Sequence, residues 1–279
     1  MKKYLSLLLA LCLTLSLAAC GSKADTSADA AAGSQTQDNA PTEAPAGEPV
    51  ELIVFAAASM TETMNQLKEM YEQNNPNVTV TYNFDSSGKL LTQIKEGADC
   101  DLFLSAAQKQ MTALEEEGLI NSGTRVDLLE NKVVLAVPAG NPADIQSFED
   151  IGTDKCKLVA LGNEDVPVGS YSVEILTNLG ILDELESSNK ITYGSNVKEV
   201  TTQVKEAAAD CCIVYATDAF SAGLETVDQA TAEECGPVIY PAALTASTEH
   251  ADEAQAFLEY LTTDDAAAIF ASVGFAMVK

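Results

Sequence analysis

The chain has 279 residues, with 42 acidic and 15 basic side chains and a formal charge of −27. That balance excludes a protein that tracks nucleic-acid phosphates, which needs a basic face, and it excludes a polybasic hold on anionic lipid. The hydrophobic share of 47% suffices for a packed core. With His250 as the one histidine, a zinc centre or a Ser-His-Asp or Cys-His catalytic set has little to be built from.

Lys2 and Lys3 precede an apolar run over residues 4–19, the pattern of a secretory signal expected to occupy residues 1–19. As a helix the run would span about 24 Å, short of the roughly 30 Å hydrocarbon core. A permanent membrane span is therefore disfavoured. Leu17-Ala18-Ala19-Cys20 resembles the lipobox of bacterial lipoproteins. That resemblance implies cleavage before Cys20 and diacylglycerol on its sulfur, which with a further acyl chain anchors stably. From Gly21 to Pro49 there is no Val, Ile, Leu, Met, Phe or Tyr. Residues 20–49 are thus expected to form a disordered, lipid-anchored linker. Loss of the signal removes Lys2 and Lys3 and takes the formal charge from −27 to −29. Cys100, Cys156, Cys211, Cys212 and Cys235 remain in the body, an odd number without a CxxC spacing. They are expected to be small apolar fillers of a core.

The body alternates strand and helix patterns. Val50–Ala57 is an apolar strand-like run, and residues 60–74 follow with helical spacing at Met60, Met64, Leu67 and Tyr71. The pattern then predicts a strand at 78–84, a helix at 88–96, a strand at 101–105, a helix at 108–117 and a strand at 132–137. A second cycle has a strand at 157–161, helices at 171–179 and 197–208 and a strand at 211–215. Residues 236–245 read as a last strand, and helices at 252–261 and 264–272 finish the chain. Such alternation predicts α/β layers with mainly parallel sheets.

Ligands of such sheets sit beyond the carboxyl ends of the strands. There the sequence has Ala56-Ala57-Ala58-Ser59, Asp85-Ser86-Ser87-Gly88, Val166-Pro167-Val168-Gly169-Ser170 and Ser195-Asn196-Val197. Ser59 is expected to be an N-cap, and the third turn to lead into a helix near Tyr171. Each turn alone is explained by ordinary capping. Four small or hydroxyl-rich helix starts together offer free N–H donors and positive dipole ends, a natural seat for an anion. Gly88-Lys89 does not make a phosphate loop, because Asn83 and Leu90 stand where Gly and Ser or Thr are required.

These loops, with Ile53-Val54-Phe55, Leu90, Gln93-Ile94, Gly97-Ala98, the run from Asp101 to Ala106, Tyr171, Ile213-Val214-Tyr215 and Asp218-Ala219, resemble in order the molybdate-binding proteins of bacterial ABC transporters. The resemblance covers most of residues 50–279. It implies an α/β type II periplasmic-binding-protein fold, two lobes joined by two crossing strands, placed at Val133–Val137 and 237–240. Lobe 1 would hold residues 50–134 plus 240–279 and lobe 2 residues 135–239. It implies capture of molybdate, and of tungstate with it, by Ser59, Ser87, Val168, Val197 and Tyr215, with no direct metal ligand. Val168 stands where the family often carries Ala, a change that leaves the backbone donor intact. The implied partners are the membrane subunits and ATPase of an ABC permease, with the protein a monomer on the outer face of the membrane. No cofactor, catalytic residue or nucleic acid is implied.

The chemistry of these positions agrees with that expectation. A deprotonated tetrahedral dianion only accepts hydrogen bonds, and the five positions supply hydroxyls and amides. A protonated phosphate would want an acceptor, which keeps Asp85 and Asp218 of interest; sulfate is the other oxyanion alternative. A small organic solute, such as an amino acid, would need a carboxylate-binding Arg, and Arg125 is the only one. His250 lies in a polar turn far from any serine motif. It reads as a solvated residue at a helix start, which disfavours an enzyme, and a purely adhesive lipoprotein would not respond to small solutes.

Overall fold

The computed structural model describes residues 48–278. The expected signal at 1–19, Cys20 and all but the last two residues of the 20–49 linker lie outside the described residues. Chain order begins with β1 (Val50–Ala57), a 3₁₀ turn (Ala58–Met60), α1 (Thr61–Asn74), β2 (Val78–Asp85), α2 (Ser87–Lys95), β3 (Leu102–Leu104), α3 (Gln108–Glu116) and β4 (Val126–Asn131). It continues with β5 (Val133–Val137), β6 (Val159–Gly162), α4 (Pro167–Asn178), α5 (Leu182–Ser187), β7 (Ile191–Gly194), α6 (Val197–Lys205), β8 (Cys211–Tyr215), α7 (Ala216–Ala222) and β9 (Glu225–Gln229). It closes with α8 (Ala232–Cys235), β10 (Val238–Leu244), α9 (Ala251–Tyr260), α10 (Asp264–Ser272) and β11 (Ala276–Met277).

Two sheets result, ordered β11-β4-β10-β3-β1-β2 and β7-β6-β8-β5-β9. The chain leaves the first sheet at Lys132, between β4 and β5, and returns through residues 230–237, between β9 and β10. Both sheets are mixed, which corrects the expectation of mainly parallel ones. β1 pairs parallel with β2 and β3, and β6 with β7 and β8, whereas β10, β11 and β5 pair antiparallel with their neighbours. The reason is the double crossing. A strand running out of a sheet lies beside one running back in, so β4 opposes β10 and β5 opposes β9.

The periodic segments fold as their patterns predict. α1 buries Met64, Leu67 and Tyr71 against the first sheet, and α6 buries Val197, Val200 and Val204 against the second. Full burial of each such side chain contributes about 1.5–3 kcal/mol. Two starts differ from the expectation. Ser59 is not an N-cap: it lies inside the 3₁₀ turn, and α1 begins at Thr61. α4 begins at Pro167, four residues ahead of Tyr171, because proline's fixed φ and missing N–H suit the first helical position.

All five body cysteines are buried and unpaired, as expected of apolar fillers. Cys156 and Cys211 bring their sulfurs to 3.7 Å. Burial pushes the Cys100 thiol up to about 12 and that of Cys235 to about 11, so neither is a ready nucleophile.

Candidate anion-binding site

The turns that follow β1, β2, β3, β6, β7 and β8 converge on one small cavity. From the first sheet come Ala57, Ala58 and Ser59, then Asp85, Ser86 and Ser87, then Ala106. From the second come Val166 and Pro167 at the start of α4, Val197 at the start of α6, and Tyr215 at the end of β8. The cavity therefore lies beyond the carboxyl ends of the parallel strands. Four of the five expected site residues line it. The fifth, Val168, follows the lining Pro167 within the first turn of α4 and is fully buried.

Local chemistry leaves donors here. Ser86 caps α2 by accepting from the Lys89 amide at 3.4 Å, and Asn196 caps α6 by accepting from the Glu199 amide at 3.0 Å. Ser87 and Val197 open α2 and α6 and Val168 is the second residue of α4, so their N–H groups have no acceptor inside those helices. The dipoles of α2, α4 and α6 point their positive ends to the same region.

The peptide of Ala106 ties two site residues together. Its N–H donates to Ser87 Oγ at 2.9 Å, and its carbonyl accepts from the Tyr215 hydroxyl at 3.0 Å. Ser87 Oγ thus accepts from the backbone and keeps its own proton for the cavity. Tyr215 gives its only proton to Ala106, the local satisfaction usual for a buried tyrosine. Ser59 Oγ lies 3.0 Å from the Tyr240 hydroxyl. Burial holds the Tyr215 and Tyr240 phenols well above their ordinary range, so both stay protonated.

Two carboxylates sit nearby. Asp85 lines the wall, its Oδ1 accepting from the Ser86 amide at 2.8 Å and from Lys89 Nζ at 3.3 Å. Asp218, in the first turn of α7, is fully buried, and neither oxygen has an aligned hydrogen bond. Lys198 Nζ stands 3.4 Å from Asp218 Oδ1 and also grips Glu62 of α1 at 2.8 Å. Desolvation raises Asp218 to about 7; Lys198 opposes the rise and Glu62 adds to it.

Three contacts join the two sides of the cavity: the Lys198–Glu62 pair, the Tyr215–Ala106 bond and the Gly88 N–H on the Asp165 carbonyl at 2.9 Å. Among the lining residues there is no Arg or Lys. Arg125 is held on the surface of α3 by Glu115, Gln108 and Thr112. A separate depression contains Glu51, Asp99, Asp101, Glu249 and His250 and is too acidic for an anion. His250 there stands at the start of α9.

Sequence reasoning kept Asp85 in view as the acceptor that a protonated phosphate would want, but it missed Tyr240 and Asn131 behind Ser59. These two lie on strands far away in the chain, and no local signal marks them.

Two α/β halves that face each other across a small donor-rich cavity define a protein that encloses a small solute. The chain belongs to the bacterial extracellular solute-binding protein family, whose family model matches residues 52–276. The molybdate-binding protein ModA of Haemophilus influenzae is 36% identical over 230 residues, 81% of this chain and 89% of that protein. YvgL of Bacillus subtilis, named provisionally as an ABC transporter substrate-binding lipoprotein, is 36% identical over 228 residues, 81% of this chain and 86% of that protein. Among solved structures, the periplasmic molybdate-binding protein of Azotobacter vinelandii superposes with a TM-score of 0.74 at 25% identity, covering 82% of this chain and 100% of that one. The fold is that of the periplasmic binding proteins, as the resemblance implied.

Proposed function

We propose that the cavity captures molybdate, and tungstate with it, and that the protein delivers the anion to the membrane subunits and ATPase of an ABC permease. The observation that carries this reading is the convergence of two serine hydroxyls and three helix starts on one cavity with no Arg or Lys in its wall. Oriented dipoles hold a dianion there without the desolvation cost of burying cations beside it. Ser59 and Ser87 would donate through hydroxyls, and Val168 and Val197 through backbone N–H. Tyr215 would donate its hydroxyl after releasing the Ala106 carbonyl. The names of the ModA relatives support molybdate.

The expected lobe division, 50–134 with 240–279 against 135–239, accompanies this reading, and the sheet membership of β5 and β10 supports edges at Lys132 and residues 230–237. The Leu-Ala-Ala-Cys motif and the lipoprotein name of YvgL support an anchor at Cys20 on the outer face of the membrane. The protein would act there as a monomer.

Calorimetric titration of the full-length chain in detergent with molybdate, tungstate, sulfate and phosphate tests the reading. Expected is a Kd of about 1 μM or tighter for molybdate and tungstate, about −8 kcal/mol or stronger, with much weaker sulfate binding. No heat with any oxyanion overturns it, and equal sulfate affinity overturns the selectivity. Asp85 on the wall favours one second reading, a protonated phosphate that donates to its carboxylate. Tighter binding of phosphate than of molybdate at pH 6 would select that reading.

A further inference from the structure

We propose that Tyr240 is a positioning residue for the anion site: it donates its hydroxyl proton to Ser59, so that Ser59 turns its own proton toward the anion. The proposal rests on the molybdate reading above. It starts from Asn131, the last residue of β4, where the chain leaves the first sheet. The Lys132 N–H donates to Asn131 Oδ1 at 2.8 Å, and this fixes which way the amide faces. A flipped amide would set Nδ2 against that N–H, donor against donor. Asn131 Nδ2 therefore points both its protons inward, one to Thr217 Oγ1 at 2.9 Å and one to the Tyr240 hydroxyl at 3.2 Å.

Tyr240 thus accepts from Asn131 and must place its single proton elsewhere. Ser59 Oγ is 3.0 Å away. Were Ser59 the donor of that bond, the Tyr240 proton would lose this acceptor in a site only 1% exposed, the costlier arrangement. With Tyr240 donating, Ser59 Oγ receives one proton, and its own is left for the cavity that Ser59 lines. The polarity runs from the Lys132 backbone through Asn131 and Tyr240 to Ser59, and the side chains of Asn131, Tyr240 and Ser59 are buried. Its two middle members sit at the places where the chain passes between the sheets: Asn131 at the first crossing, and Tyr240 in β10 just after the second. The alternative receiver is Tyr215, whose ring lies 5.5 Å from that of Tyr240.

The test is a double-mutant cycle on the full-length chain in detergent, with sodium molybdate titrated into wild type, Y240F, S59A and the double variant. Thermal unfolding without ligand checks that each variant folds. Expected is about tenfold weaker binding in Y240F, at least as large a loss in S59A, and a double variant no weaker than S59A alone. Wild-type affinity in folded Y240F, or losses that multiply in the double variant, overturns the proposal. Coupling of Y240F to Y215F in place of S59A also overturns it, and shows that the proton goes to Tyr215. Should Y240F fail to fold, a crystal structure of the molybdate-bound wild type decides. Ser59 Oγ within hydrogen-bond reach of both the anion and the Tyr240 hydroxyl is expected, and a Ser59 turned away from either overturns the proposal. No binding by wild type at all overturns the molybdate reading, and the positioning role with it.

Discussion

A carboxylate with neither oxygen in an aligned hydrogen bond is costly to bury, and Asp218 is fully buried in the first turn of α7. Its pKa, raised by desolvation from 3.8 to about 7, makes stability depend on pH. Below about pH 4 the group is protonated in both folded and unfolded chains. Between there and about pH 7 the unfolded chain has lost a proton that the native state keeps. Stability from this group therefore falls as pH rises, and the loss is complete once the folded group ionises. A shift of that size corresponds to roughly 4 kcal/mol. Lys198, itself partly exposed, is the cation facing the group, and Glu62 beyond it adds repulsion. Asp218→Asn should therefore become more stable relative to wild type as pH rises from 5 to 8. Urea unfolding at pH 5, 6.5 and 8 measures the difference between the two proteins; a constant difference would refute the assignment.

Two helix starts show how one glycine can serve closure and another the fold. At Gly88 of α2, an added Cβ would meet the Asp165 carbonyl oxygen at 2.6 Å, across the cavity from its own sheet. At Gly169 of α4, a Cβ would run into the Gly162 carbonyl oxygen, within the second sheet's own layer. Gly88→Ala should fold with near-normal thermal stability and bind molybdate at least about tenfold more weakly, because the two sides no longer meet. Gly169→Ala should lose stability itself, by about 1–3 kcal/mol for an overpacked helix–strand contact. Thermal unfolding and calorimetry on the same two variants separate the effects. The reverse pattern would mean that the Gly88–Asp165 contact does not serve closure.

At the scale of the molecule, charge opposes the proposed ligand. A formal charge of −27 repels a dianion, and no Arg or Lys lines the cavity to offset it. Salt screens this long-range field, with a Debye length of about 10 Å at 0.1 M falling to about 3 Å at 1 M. The short buried hydrogen bonds are screened far less. Association of molybdate should speed up as NaCl rises, since like-charge steering slows encounter, while affinity stays flat or improves modestly. Stopped-flow fluorescence can follow it through Tyr215 and Tyr171, whose rings lie 6.4 Å apart. A steep fall in affinity with salt would bring a cation into the site, Lys89 beside Asp85 first.

Elements with a periodic burial pattern and turns with local chemistry could be read from the amino-acid order alone. β1, α1, α6 and β8 were legible because apolar spacing is set by the geometry of each element. The convergence of Ser59, Ser87, Val197 and Tyr215 was legible only through resemblance, because each turn alone reads as a cap. β9 and β4 were not legible: their alternation is broken by charge, as suits an edge strand and a crossing strand that gain their order from partners distant in the chain. Tertiary packing, not local pattern, lets the crossing strands make both sheets mixed. It alone gave the Tyr215 proton to Ala106, set Asp85 in the cavity wall, and brought Asn131 and Tyr240 behind Ser59. Tyr240 is 181 residues from Ser59 along the chain. A hydrogen bond depends on where two atoms finally meet, and at that separation only the packing of the whole chain fixes the place.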